Sequence, residues 1–175
     1  MIQKSYDDKS KLYIVPTPIG NMLDITLRAI EILKGVSVVY SEDTRVTKIL
    51  FNHYKIKTKL ISCHKFNEMS IYPQVIHNLQ EGKSVALVTD RGTPLISDPG
   101  YVVVNKVIES GYSVVALPGA CAFLPALNMS NIKSDRFIFY GFLSNKNEEC
   151  KRELEVLKNI NFTFVLYESP HRLIK

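Results

Sequence analysis

The sequence predicts an α/β fold: a largely parallel sheet flanked by helices, followed by the start of a second α/β domain. Three observations carry this. Short apolar runs alternate with segments whose apolar residues recur at helical spacing. Glycine and proline gather at the ends of several of those runs. The pattern changes after about Ile132, where the strands turn aromatic and a charged helix appears. The predicted organisation is an N-terminal extension (1–11), an α/β domain (12–132) and a partial second α/β domain (133–175).

The elements follow in order. Leu12 to Val15 reads as a buried strand. Asp24 is positioned to cap a helix carrying Ile25, Ala29, Ile32 and Leu33 on one face, stopped by Gly35. Val36 to Ser41 is the next strand, and Thr44 to Tyr54 has helical spacing through Ile49, Leu50 and Tyr54. Lys59 to Cys63 is a third strand. Ile71, Val75, Ile76 and Leu79 mark a helix closed by Gly82. Ser84 to Thr89 is a fourth strand. Pro99 or Gly100 opens a helix running to Gly111, with Asp98 where an N-cap belongs. Ser113 to Leu117 is a fifth strand, and Ala120 to Met129 a further helix. Beyond Ile132 come an aromatic strand (Asp135 to Leu143), an amphipathic helix (Asn145 to Ile160) with Leu154 and Leu157 inward, and a strand from Phe162 to Ser169.

Of the 175 residues, 46% are hydrophobic and 22% charged, enough apolar side chain for a core and an ordinary charge load. The net charge of +5 is a mild pointer to a polyanionic partner. Three widely spaced cysteines, Cys63, Cys121 and Cys150, form no CxxC, which argues against a disulfide framework or a zinc site. No His/Cys/carboxylate spacing suggests a metal. No apolar run reaches the ~18 residues a membrane span needs, and the start carries no apolar signal region. The cytoplasm is the expected compartment.

The loops after strands one, four and five read "PTPIGN", "DRGTPLISDPG" and "LPGACA". Ligands of open α/β sheets bind outside the carboxyl ends of the strands. Glycine lets a backbone approach a ligand closely, and proline holds a loop's shape. Each loop alone is ordinary turn chemistry; three together predict a pocket floor. None is a Walker A loop or GxGxxG, which disfavours a mononucleotide phosphate or NAD.

"YIVPTPIGNMLDITLRAIEIL", "SEDTR", "GTPLISDPGY", "LPGACA", "DRFIFYGFL" and "YESPHR" occur in order. Together they resemble the tetrapyrrole methylase superfamily, within it the branch that methylates the 2′-hydroxyl of a cytidine in 16S rRNA. The resemblance covers Leu12 to the last residue. It implies S-adenosylmethionine as cofactor, rRNA of the small ribosomal subunit as partner, a tetrapyrrole-methylase-like pair of α/β domains with the cofactor between them, and a homodimer. It implies cofactor contacts from Pro18, Ile19 and Gly20, from Asp90, Gly92, Thr93, Pro94, Ile96, Ser97 and Asp98, and from Pro118, Gly119 and Ala122. Asp98 is equally readable as a helix cap.

Methyl transfer to a ribose hydroxyl is an in-line displacement that alignment accelerates and a base assists. Glu42 or Asp43 is the expected group to take the proton or hold the ribose, with Arg45 on phosphate. The alternative for these residues is a helix start, with Asp43 capping and Arg45 solvated. His64, Asn67, Arg91, His171 and Arg172 are the further RNA-binding candidates; a histidine placed like His64 is more often structural than a base.

The chain departs from the family pattern in three places. Arg91 stands where a small residue is usual, and Ala120-Cys121 where Pro-Ser is usual. The family also continues for a further domain-sized stretch, so the second sheet is expected to be incomplete, with an unpaired edge. The alternatives to the rRNA reading are a methylase of a small tetrapyrrole and a truncated, non-catalytic remnant.

Overall fold

A computed structural model describes residues 9–173. The chain divides between Cys121 and Ala122 into two units. The first contains β1 (Lys11–Ile14), α1 (Leu27–Gly35), β2 (Val38–Ser41), α2 (Thr44–Tyr54), β3 (Lys59–Ser62), α3 (Glu68–Gln80), β4 (Val85–Val88), α4 (Tyr101–Glu109) and β5 (Ser113–Ala116). Its five strands are all parallel, in the order β3-β2-β4-β1-β5. Every residue of β1, β2 and β4 is buried, because helices cover both faces of the sheet. The edge strands β3 and β5 are only partly covered.

Side chains alternate between two cores, as the pleat requires. On one face Tyr13, Val15, Val39, Ala86 and Val88 meet Ala29, Ile32 and Leu33 of α1 and Phe51 of α2. On the other, Leu12, Val38, Tyr40, Val85 and Leu87 meet Val75 and Leu79 of α3 and Val103 and Val107 of α4. The chain thus winds out to β3 over one face and returns to β5 over the other. The strands β2 and β4 are neighbours, yet their connections leave in opposite directions. That is the topological switch point, where open α/β sheets place their ligands.

Several local expectations are corrected. Asp24 does not cap α1; it ends a short 3-10 turn, Met22–Asp24, and Thr26 caps the helix through a hydrogen bond from Ala29 N–H at 3.1 Å. Helix α3 begins at Glu68, ahead of its first apolar marker Ile71, and carries Pro73 within it. The expected extension 1–11 falls mainly outside the described residues, but Lys11 already belongs to β1 and is buried.

The second unit contains α5 (Phe123–Met129), β6 (Phe137–Phe142), α6 (Asn147–Lys158) and β7 (Thr163–Tyr167). Helix α5, expected at the end of the first domain, goes with this unit; its Phe123 stacks on Phe139 with ring centroids 4.7 Å apart. Strands β6 and β7 pair in parallel, with a register shift between Phe139 and Gly141. Leu157 is buried as expected, but Leu154 is not inward: it is 41% exposed. A two-stranded sheet has too little area to cover a whole helix face. Among the described residues, no helix is long and apolar enough to cross a membrane.

Candidate functional site

The loops after β1, β4 and β5 are laced together. Thr17 and Gly92 form an antiparallel bridge, with Thr17 N–H donating to Gly92 O at 2.9 Å and Gly92 N–H to Thr17 O at 3.0 Å. Thr17 Oγ1 donates to Thr89 O at 3.1 Å. Thr93 Oγ1 donates to Ala120 O at 2.9 Å, tying the β4 loop to the β5 loop. Gly119 is required by proximity: a Cβ there would stand 2.5 Å from Pro16 Cβ. Leu95 (φ 71°) and Ser97 (φ 67°) hold left-handed backbone that costs a side chain energy and persists only under such constraint. Within these loops Gly92 and Pro94 are buried, Pro18 and Ile19 are half-buried, and Gly20, Ile96, Ser97, Pro118 and Gly119 are exposed. Ala122 lies just past the division, in the second unit.

At the switch point the ends of β2 and β4 bring three carboxylates together. Asp43 N–H donates to Asp90 Oδ1 at 2.9 Å, and the Asp90 backbone donates back to the Glu42 carboxylate. Burial and the charge of Asp90 raise the Glu42 carboxyl above its ordinary range. Asp98 is pushed up to about 6, by burial first and then by the charges of Glu42 and Asp90. Burial and neighbouring negative charge thus disfavour the ionised forms of Glu42 and Asp98. Thr89 lies beside Asp98 and helps hold its charge. Its hydroxyl nevertheless closes no hydrogen bond of ordinary geometry although it is buried.

Asp43, expected as a base or ribose ligand, is committed elsewhere. Its carboxylate caps α2 by accepting from Arg45 N–H at 2.8 Å, and it pairs with the Arg45 guanidinium at 2.6 Å. Those bonds hold its carboxyl down at about 2. Arg45, expected on phosphate, is folded back on Asp43 while its side chain stays largely in solvent.

Asn67 and His64 build the turn before α3. Asn67 Oδ1 accepts from His64 N–H at 2.7 Å, Asn67 Nδ2 donates to Ser62 O at 3.1 Å, and His64 Nδ1 accepts from Phe66 N–H at 3.3 Å. These are structural bonds, so Asn67 has little left for RNA. Arg91 is exposed beside the β4 loop. In the second unit Arg172 is a staple: it bonds Asn145 Oδ1, donates to Ser144 O at 2.9 Å and pairs with Glu168 at 3.4 Å. His171 is exposed.

The start of α4 corrects the sequence expectation most clearly. Asp98 does not cap it. The N-cap is Gly100, at φ 121°, and no side chain of its own segment caps the helix. Instead Glu68, in the first turn of α3, accepts from Gly100 N–H at 3.0 Å and Val102 N–H at 2.9 Å. Glu68 is 6% exposed, a buried charge made tolerable by these donors. A carboxylate five positions past Cys63 carries no local sign of this task, since its partners lie in another connection.

Residues 11–175 match the family described as Tetrapyrrole (Corrin/Porphyrin) Methylases. The chain belongs to this family. It is 49% identical over 174 residues to the "Ribosomal RNA small subunit methyltransferase I" of Bacillus subtilis (strain 168), which covers 98% of this chain and 60% of that protein. It is 46% identical over 174 residues to the protein of the same name from Halalkalibacterium halodurans, with the same coverage. The chain thus spans about 60% of the length of these curated relatives. The crystal structure of diphthine synthase shares the fold, with a TM-score of 0.73 at 15% identity over 93% of this chain and 66% of that one.

The tetrapyrrole methylase loops fit a cationic, amino-acid-bearing cofactor. The Glu42, Asp90 and Asp98 carboxylates suit positive charge, and the raised carboxyls of Glu42 and Asp98 mark how much negative charge the place already holds. The glycine-bearing loops offer backbone donors for a carboxylate. Among the described residues no group of three or more His, Cys, Asp or Glu is arranged to hold a metal ion. The Cys63 thiol is pushed up to about 12 by burial, so it is no nucleophile.

Beside the carboxylates, a cavity of about 240 Å³ opens between the β1 loop, α2 and the β4 loop. Sequence reasoning missed its wall on α2. The one available signal was Ile49, an apolar residue next to buried Leu50 and itself 62% exposed.

Proposed function

We propose that this chain forms part of an S-adenosylmethionine-dependent methyltransferase acting on the 2′-hydroxyl of a cytidine in small-subunit rRNA, in the cytoplasm. The observation that carries the reading is the half-buried Glu42 at the β2–β4 switch point, clamped to the Asp90 backbone and raised above its ordinary range. The relatives named for rRNA methylation support the substrate class. The net charge of +5 suits a polyanion.

S-adenosylmethionine, when bound, supplies an electrophilic methyl group. The loop residues Gly92, Thr93, Pro94, Ile96 and Ser97, with Ile19, Gly20, Pro118 and Gly119, would hold it. Ala122 joins them by resemblance alone. Asp98 would face its positive charge, with the Asp90 backbone beside it. Glu42 takes the 2′-hydroxyl proton at its carboxylate; a raised carboxyl is a stronger base than an ordinary one. Asp43 does not share that task, because a carboxyl held at about 2 is a poor base and its oxygens are engaged. Arg91, exposed beside this loop, is the best placed of the proposed phosphate contacts.

The test is methyl incorporation from labelled cofactor into undermodified small ribosomal subunits, with uroporphyrinogen as the parallel substrate. Label in rRNA at the 2′-position supports the reading, and label in the tetrapyrrole overturns it. For the base, Glu42→Gln is expected to slow methylation by roughly a hundredfold, the low end for general-base assistance. An unchanged rate across pH removes Glu42 from that role.

A further inference from the structure

The cavity against α2 has the size and chemistry of a single heterocycle. At about 240 Å³ it falls below the ~300–1,000 Å³ of pockets that enclose drug-sized ligands. A whole nucleoside-amino-acid cofactor does not fit such a space, whereas one flat ring system does. Pro18 from the β1 loop and Val46 and Ile49 from α2 give it apolar walls. Ile49 stands 62% exposed at its rim, an apolar side chain left uncovered within α2.

The polar end has unused hydrogen-bonding capacity. Thr89 is 2% exposed and lines the cavity, and its hydroxyl has no partner of ordinary geometry. Asp90 also lines it. One carboxylate oxygen, Oδ1, is occupied by Asp43 N–H at 2.9 Å. The other remains an acceptor that cannot donate. Arg91 stands at the same rim, exposed.

A carboxylate facing a flat ring selects an exocyclic amine over a carbonyl. Cytosine presents N4–H₂ at its edge, and a carboxylate accepts from it; uracil presents O4 at the same place and is repelled. A base enters such a cavity only when taken out of its stack, and Arg91 is placed to hold phosphate outside. The Glu42 carboxylate accepts from the backbone N–H of this same Asp90. The group proposed to act on the ribose and the group facing the base are therefore fixed to each other.

We propose that this cavity receives the flipped-out base of the target nucleotide and that Asp90 selects cytosine by accepting from its N4 amine. The inference rests on the rRNA reading and adds to it the residue that sets base identity.

The test is titration of the 175-residue chain with cytidine and uridine 5′-monophosphates, followed through the methyl resonances of Val46 and Ile49. Cytidine monophosphate is expected to shift both methyls and to bind about tenfold tighter than uridine monophosphate, the scale of one good base contact. Asp90→Asn keeps an oxygen for Asp43 N–H but turns the second position into a donor, so the preference is expected to vanish or reverse. Ile49→Ser is expected to weaken both nucleotides and leave the preference alone. Equal binding of the two by the unaltered chain, shifts away from α2, or no response at Ile49 overturns the proposal. The outcome is separable from the rRNA reading: methylation of subunits whose target cytidine is replaced by uridine, at an undiminished rate, removes base selection by Asp90 and leaves the activity standing.

Discussion

Helices α2 and α4 both start at the carboxyl end of the sheet's strands, and they are capped in opposite ways. Helix α2 is closed from within its own segment: Asp43 accepts from Arg45 N–H and pairs with the Arg45 side chain. Helix α4 is closed from outside: Gly100 supplies the turn and Glu68 of α3 supplies the acceptor. A Cβ on Gly100 would also stand 2.6 Å from Leu87 Cδ2, so the helix start is pressed against β4. The difference has a functional side. Borrowing the cap from Glu68 releases Asp98 to face Glu42 and Asp90, and it leaves the β4 loop free of the geometry a local cap imposes. The Asp43 cap engages its own carboxylate instead.

The largest break in that comparison comes at Glu68. Glu68→Ala leaves the Gly100 and Val102 N–H groups without an acceptor in a buried place. A loss of about 3 kcal/mol is expected, from two bonds to a charged group, read by chemical denaturation. A loss under ~1 kcal/mol would mean water replaces the carboxylate without difficulty.

Asp98 comes next, with a pH signature. Its carboxyl is raised from 3.8 to about 6 in the folded chain. Between those values the folded state holds more protons than the unfolded state, so the chain gains stability as pH falls through the window. Above about pH 6 the ionised group is a burden in the folded chain. Asp98→Asn is therefore expected to be more stable than the unaltered chain at pH 8, by about 1 kcal/mol once half-exposure is discounted, and equal to it near pH 4. Thermal melts across pH check this; parallel curves for the two chains would contradict it. An Asp98 acting as a helix cap would give the reverse, a variant that is less stable at pH 8.

The smallest effects belong to α2. Asp43→Ala is expected to lower Tm by a few degrees through the lost cap. Arg45→Ala is expected to change Tm less than Asp43→Ala, because the guanidinium is largely in solvent and the backbone cap survives it. If Arg45→Ala proved the more damaging, the ion pair and not the cap would be what holds this helix start.

Two of the cap predictions made from sequence, Asp43 and Asp98, differ in outcome for one reason. Asp43 precedes its helix directly and makes a local bond, which is a short-range rule. Asp98 satisfied the same rule on paper, but Gly100 at φ 121° shifts the helix start and Glu68 reaches it from another connection. The same contrast runs through the rest of the chain. The strands were readable because their apolar runs are local, and each ends within two residues of its expected bounds in the first unit. The three glycine- and proline-bearing loops were readable as a group, and the structure laces them together. Leu154 was misread because helical spacing names a face without saying how much sheet is present to cover it.

By itself the sequence determined the alternation of strands and helices, the parallel sheet, the three glycine- and proline-bearing loops and the family resemblance, since these rest on periodicity, turn residues and ordered motifs. Tertiary structure alone decided the strand order β3-β2-β4-β1-β5, the meeting of Glu42, Asp90 and Asp98, the remote cap from Glu68 and the cavity against α2. Each of these depends on residues far apart in the chain whose distance is set by packing, and packing has no period to read.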